Sequence, residues 1–152
     1  MSHDLQIERT FKAPRKAIWR CWTETDLLKQ WFCPKPWGVE HAEFDLRPGG
    51  KSIVIMKGPN GERHENPGCW LEVVPMERLV FTDAMTVGFV PTAKPFMAGY
   101  VHLKDAPGGG THYVAGARHW TEEDCKQHEA MGFHAGWNKA ADQLEELALS
   151  LG

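Results

Sequence analysis

No run of about 18 apolar residues occurs anywhere in the chain, so no segment is built to cross a bilayer as a helix. The opening MSHDLQIERTF has neither a basic start followed by an apolar run nor a small-residue cleavage site, so no secretory leader is expected. A basic surplus is missing too: net charge is −3 and the pI is near 6.2, which argues against a nucleic-acid or anionic-membrane partner. The four cysteines (Cys21, Cys33, Cys69, Cys125) form no CxxC pair and no zinc spacing, and each reads as a small buried hydrophobe. A soluble, reduced, cytoplasmic protein is the expectation.

Catalytic signatures are equally sparse. Ser2, Ser52 and Ser150 are the only serines and none sits in Gly-x-Ser-x-Gly. The eight histidines include no HxH or HExxH pair, and the six-residue step from His128 to His134 puts them on different helix faces, so no metal is expected. Cys125 and His128 are helix neighbours, a spacing thiol catalysis could use, yet a buried inert thiol is the simpler reading. Gly108-Gly109-Gly110 precedes a strand rather than a helix, so it is no phosphate cradle, and no cofactor is expected.

What the chain does have is 42% hydrophobic residues, 24% charged, and seven Trp and seven Phe in 152 residues, enough for one domain over 1–152 with a substantial core. Residues 5–12 alternate apolar Leu5, Ile7 and Phe11 with polar neighbours, the period of a strand, which Pro14 ends. Ala17, Ile18, Cys21 and Trp22 then recur at helical spacing. Leu27, Leu28, Trp31 and Phe32 do so on a second short helix, with Thr23 or Thr25 as its cap. Gly and Pro turns divide the middle into strands 37–46, 51–57, 69–74, 78–86, 97–104 and 111–120, an antiparallel meander with a longer loop over 87–96. Thr121 to Asp124 resembles a capping box. Beyond it Phe133, Trp137, Ala140, Ala141, Leu144, Leu147, Ala148 and Leu151 trace one stripe on a helix of about 25–30 residues. An antiparallel sheet with one face to cover should bury that stripe. Asp45 with Arg47, and Glu72 with Arg78, read as ion pairs holding turns.

Particular stretches carry a resemblance. They are Arg9-Thr10-Phe11 before Ala13-Pro14, Trp19 through Trp22-Thr23, Trp31-Phe32, Asp45 to Gly50, Met56 with Gly58-Pro59-Asn60-Gly61, Leu71 to Pro75, Arg78 to Thr82, and Gly132-Phe133 through Gly136-Trp137. In this order they resemble the SRPBCC superfamily, which includes START domains and the birch pollen allergen. Within it they are similar to the subgroup of the activator of the heat-shock-protein-ninety ATPase. The resemblance implies an α+β helix-grip fold, β-α-α-β6-α, whose curved antiparallel sheet wraps a long C-terminal helix and encloses a cavity for a small apolar ligand. It implies fold rather than activity, because the superfamily mixes binders, cyclases, hydrolases and co-chaperone domains.

Strand 111–120 offers two faces: Tyr113, Ala115, Ala117 and His119 on one, His112, Val114, Gly116, Arg118 and Trp120 on the other. Two adjacent alanines should leave volume, so the first face is assigned to the cavity, with His119 at its end and His102 near it beside Tyr100. Gly132 and Gly136, on one helix face flanked by Met131, Phe133 and Trp137, are read as its roof. The expected wall is Trp31, Phe32, Trp37, Met56, Trp70, Phe81, His102, His119, Met131, Phe133 and Trp137. The leading reading is binding of a small hydrophobic or aromatic molecule. An enzyme using His119 or His102, and a co-chaperone-like interaction module, are the alternatives. Exposed sheet edges permit a homodimer without requiring one.

Overall fold

A computed structural model describes residues 3–93 and 95–151; Ser2, and Lys94 within the 87–96 loop, lie outside the described residues. Strand β1 (Asp4–Phe11) keeps the alternation of its sequence, with Leu5, Ile7 and Phe11 buried and Gln6, Glu8 and Thr10 exposed. Pro14 then stands as the cap of α1 (Arg15–Thr23), which buries Ala17, Ile18, Cys21 and Trp22. Extended Glu24 separates it from α2 (Thr25–Leu28), shorter than the apolar spacing suggests. Trp31 and Phe32 follow in a turn, where the Trp31 indole N–H donates to the Cys21 carbonyl at 2.9 Å.

The sheet comprises β2 (Gly38–Phe44), β3 (Ser52–Lys57), β4 (Arg63–Asn66), β5 (Cys69–Val74), β6 (Arg78–Thr82), β9 (Met97–Asp105) and β10 (Thr111–His119) together with β1, all paired antiparallel. One part runs β2-β3-β4 and the other β5-β6-β9-β10-β1. They meet where β4 and β5 act as one bent strand along β3: Ser52 N–H donates to Gly68 O, Trp70 N–H to Gly50 O, and Lys51 bridges Cys69. Strand β4, absent from the sequence reading, is fully exposed and carries no alternation to betray it. Gly68 makes the bend because any Cβ there would strike the Thr82 carbonyl.

Two expected boundaries change. Strand 78–86 stops at Thr82, because the Asp83 carboxylate accepts from the Phe96 and Met97 N–H groups at 2.9 and 3.1 Å and turns the chain. The loop over 87–96 includes part of a small hairpin, β7 (Met85–Thr86) with β8 (Val90–Pro91), seated on the Pro48-Gly49-Gly50 turn through Gly88 N–H to Gly49 O at 2.8 Å.

The expected single terminal helix is two. Thr121 caps α3 (Glu122–Ala130), its hydroxyl accepting from Asp124 N–H at 3.0 Å, and α4 (Phe133–Ser150) follows. Between them Gly132 adopts φ +94°, the left-handed conformation that ends helices and that side chains resist. Helix α3 has no buried residue, whereas α4 lays Phe133, Ala140, Ala141, Leu144 and Ala148 against the sheet. Among the described residues no helix is long and apolar enough to cross a membrane.

Candidate functional site

The register defines the face that meets α1 and α4. One row crosses it as Trp70, Phe81, Gly99, Ala117 and Leu5, and the next as Leu79, Val101, Ala115 and Ile7. Tyr113, Ala115, Ala117 and His119 are all buried on it, as strand parity required. The volume expected above the two alanines is closed. Ala115 and Ala117 are 1% and 0% exposed, so no water-sized void touches them. The Trp22 indole closes this half, donating to the Tyr113 hydroxyl at 3.1 Å, and Phe81, which a Cβ on Gly99 would strike, marks its border. Burial raises the Tyr113 pKa, so its hydroxyl stays protonated and structural.

The other half is different. Trp22, Trp31, Phe32, Phe81, Trp70 and Phe44 form a chain of ring contacts with centroids 5.0–6.1 Å apart. Phe32, Val39, Phe44, Met56 and Phe81 pack on the core yet are only half-buried. Val39 and Met56 are direct partners across β2 and β3. Four wall residues from the sequence, Trp31, Phe32, Trp70 and Phe81, therefore sit in one continuous cluster. Phe44 and Val39 were missed; strand parity on β2 is broken by a bulge between Val39 and His41, which hid them. The Trp70 indole N–H is sealed and has no partner among the described residues, a state that costs about 1–3 kcal/mol.

Phe133, Trp137 and His119 assemble elsewhere on the same interior, at the start of β9 and the end of β10. Phe133 and Trp137 rings are 4.5 Å apart, and both pack edge-on to His128. His119 Nδ1 lies 2.7 Å from the His3 carbonyl oxygen, and its Nε2 lies 2.8 Å from His128 Nδ1. Burial, and after it the His119 charge, push the His128 pKa down to about 4. The helical step separates His128 from His134, but it says nothing of a histidine on a strand, and so the His119–His128 pair went unread.

Three expected members lie apart. Met131 is 70% exposed at the break between α3 and α4. His102 pairs with Val114 and Arg78 on the opposite face, beside Tyr100, and burial followed by the Arg78 and Arg118 charges lowers its pKa. It cannot work with His119. Trp37 stacks on His64 with centroids 5.5 Å apart, at the rim rather than in the cluster. Of the expected glycine roof, Gly132 is exposed at the helix break, where a Cβ meets nothing within 4 Å, and a Cβ on Gly136 reaches only Pro34.

The expected ion pairs form, Asp45 with Arg47 at 2.7 Å and Glu72 with Arg78 at 2.5 Å, and each holds its carboxylate on the surface. Burial pushes the Cys21 and Cys33 thiols up to about 11, which makes them inert at neutral pH. A separate open depression of about 370 Å³, lined by Glu65, Asn66, Pro67, Asp83, Thr92 and Ala93, shares no residue with either cluster. Among the described residues no group of three or more His, Cys, Asp or Glu could hold a metal.

A curved antiparallel sheet closed by a C-terminal helix, with an aromatic interior only partly sealed, defines a helix-grip protein of the SRPBCC superfamily. Residues 12–148 match the family model described as "Activator of Hsp90 ATPase homolog 1-like protein", and the chain belongs to that family. A crystal structure of a Nitrosomonas europaea protein is similar at 41% identity and TM-score 0.93, covering 97% of this chain and 94% of that one. A Rhodobacter sphaeroides crystal structure (20% identity, TM-score 0.83, 98% and 94% covered) shares the fold. So does a Staphylococcus epidermidis solution structure (23%, 0.81, 100% and 93%). Comparison with curated proteins gives no match.

Proposed function

We propose that the protein binds a small hydrophobic or aromatic molecule in the interior between the curved sheet and the C-terminal helix, in the reducing cytoplasm. One observation carries this: Phe32, Val39, Phe44, Met56 and Phe81, from a turn and three strands, all pack on the core and all keep solvent contact. Large apolar side chains left half-wet side by side, against core residues packed to 0–7% exposure, are surface that a ligand would dry. The buried thiols fit a compartment without disulfides. Native mass spectrometry of the protein purified from its own host tests the reading. A stoichiometric small molecule released on denaturation supports it. An empty protein that also fails to bind any member of an aromatic panel overturns it.

A second reading has its own observation. The β7–β8 hairpin exposes Val87, Phe89 and Val90 at 55%, 47% and 55%, an apolar tip outside the interior. The family name points to a chaperone ATPase as the partner such a tip would dock. Stimulated ATP hydrolysis by an Hsp90-class chaperone, lost in Phe89→Ser, supports it; no stimulation at saturating protein removes it.

A further inference from the structure

We propose that His128 and His119 form a proton relay whose outer end, His128 Nε2, accepts the hydroxyl proton of a phenolic or enolic ligand. This rests on the reading that the interior between sheet and helix takes up a small aromatic molecule, and it concerns a second corner of that interior, apart from the Phe32–Phe81 cluster.

The geometry dictates the tautomers. The His3 carbonyl can only accept, so His119 Nδ1, 2.7 Å away, carries a hydrogen. In the neutral ring His119 Nε2 then bears a lone pair, and His128 Nδ1, 2.8 Å away, must donate to it. That leaves the lone pair of the pair of rings on His128 Nε2, which makes no hydrogen bond to the described residues and stays open to solvent on a half-exposed ring. Phe96, Phe133 and Trp137 surround the His128 ring with centroids 5.1, 5.1 and 6.3 Å away, so an aromatic ligand has rings to pack on beside the acceptor.

The step balances within the pair. The ligand O–H bond breaks and its proton binds His128 Nε2. The proton between the rings shifts from His128 Nδ1 to His119 Nε2. His119 Nδ1–H stays on the His3 carbonyl, so the positive charge rests on His119, where a carbonyl dipole faces it, and the ligand leaves as phenolate or enolate. Burial disfavours charge on His128 itself, and the relay moves the charge off that ring. Titratable groups of this corner among the described residues include His3, Asp4, ion-paired with Arg118 at 3.2 Å, Cys125 and Glu129 on α3, and His134 on α4, 4.0 Å from Glu129. The charge that acts on His128 is that of His119.

Two measurements test this. Long-range proton–nitrogen spectra at about pH 8 should show both His119 and His128 as Nδ1–H tautomers, against the Nε2–H form that free imidazoles prefer. Finding His128 as Nε2–H overturns the relay whatever the protein binds. Then, at a pH below the ionisation of the free phenol so that unbound probe is neutral and colourless, 4-nitrophenol is compared with nitrobenzene. Nitrophenol should bind about tenfold more tightly, the size of one added hydrogen bond to an acceptor that the bound ring shields from water. His128→Phe should erase that advantage while leaving nitrobenzene affinity within about twofold, which also reports that the variant is folded. His119→Gln can still accept from His128 Nδ1 but cannot hold the proton. It should keep the tighter binding and lose the phenolate colour. Equal affinity for the two probes in the natural protein overturns the relay and spares the binding reading. Failure of both probes to bind counts against the binding reading, and the inference falls with it.

Discussion

The two halves of the interior are built from the same materials and finished differently. On the α1 side, Phe11, Ile18, Trp22, Tyr113, Ala115 and Ala117 are packed so completely that 4% or less of each surface remains. On the β2–β3 side, Phe32, Phe44, Met56 and Phe81 have equally large side chains and stay half-buried. The sealed half stands on the five-stranded part of the sheet, and the open half spans the bend where β2 and β3 meet it. The sealed half converts apolar area into stability at about 25 cal/mol per Å², and the open half holds area that has not been converted.

Substitution in each half should therefore read out differently. Trp22→Ala removes a buried indole and the hydrogen bond to Tyr113 and should cost about 3–5 kcal/mol by denaturant midpoint. Phe81→Ala should cost only about 1–2 kcal/mol, because its ring already touches solvent, and should change the affinity of aromatic probes, which Trp22→Ala reaches only through instability. Equal costs would erase the distinction. Adding bulk sharpens it: Ala117→Leu should destabilise by about 1–3 kcal/mol through overpacking, whereas Met56→Phe should leave stability nearly unchanged and weaken probe binding. A further effect is one of pH. The His128 pKa is about 4 in the fold against about 6.5 unfolded, so the unfolded chain binds the extra proton. Stability is full above about pH 6.5 and falls as pH drops toward about 4. The loss should be about 1–2 kcal/mol, allowing for solvent screening at a half-exposed ring, and absent in His128→Phe.

Much of this was legible in the residues. Strand β1, helix α1, the faces of β10 and the stripe on α4 follow from spacing alone, because burial on one face imposes a period. The break at Gly132 was written in the sequence as a glycine, yet the stripe resuming at Phe133 disguised it as a helix interior. Strand β4 and hairpin β7–β8 are held by backbone pairing with exposed side chains and so leave no periodic trace. In the site, Trp31, Phe32, Trp70 and Phe81 came from aromatic content and family resemblance. His102 went astray because its neighbour His119 reaches the other face: the antiparallel register sets Gly99, not His102, with Ala117, and no sequence period encodes a register.

Methionine methyl resonances followed during titration with naphthalene test the central claim most directly. Met56 faces the half-wet cluster and Met131 lies 70% exposed at the helix break. The account predicts a saturable shift at Met56, complete at one equivalent, with Met131 unmoved. An unmoved Met56, or shifts at both methyls that grow without saturation, would contradict it.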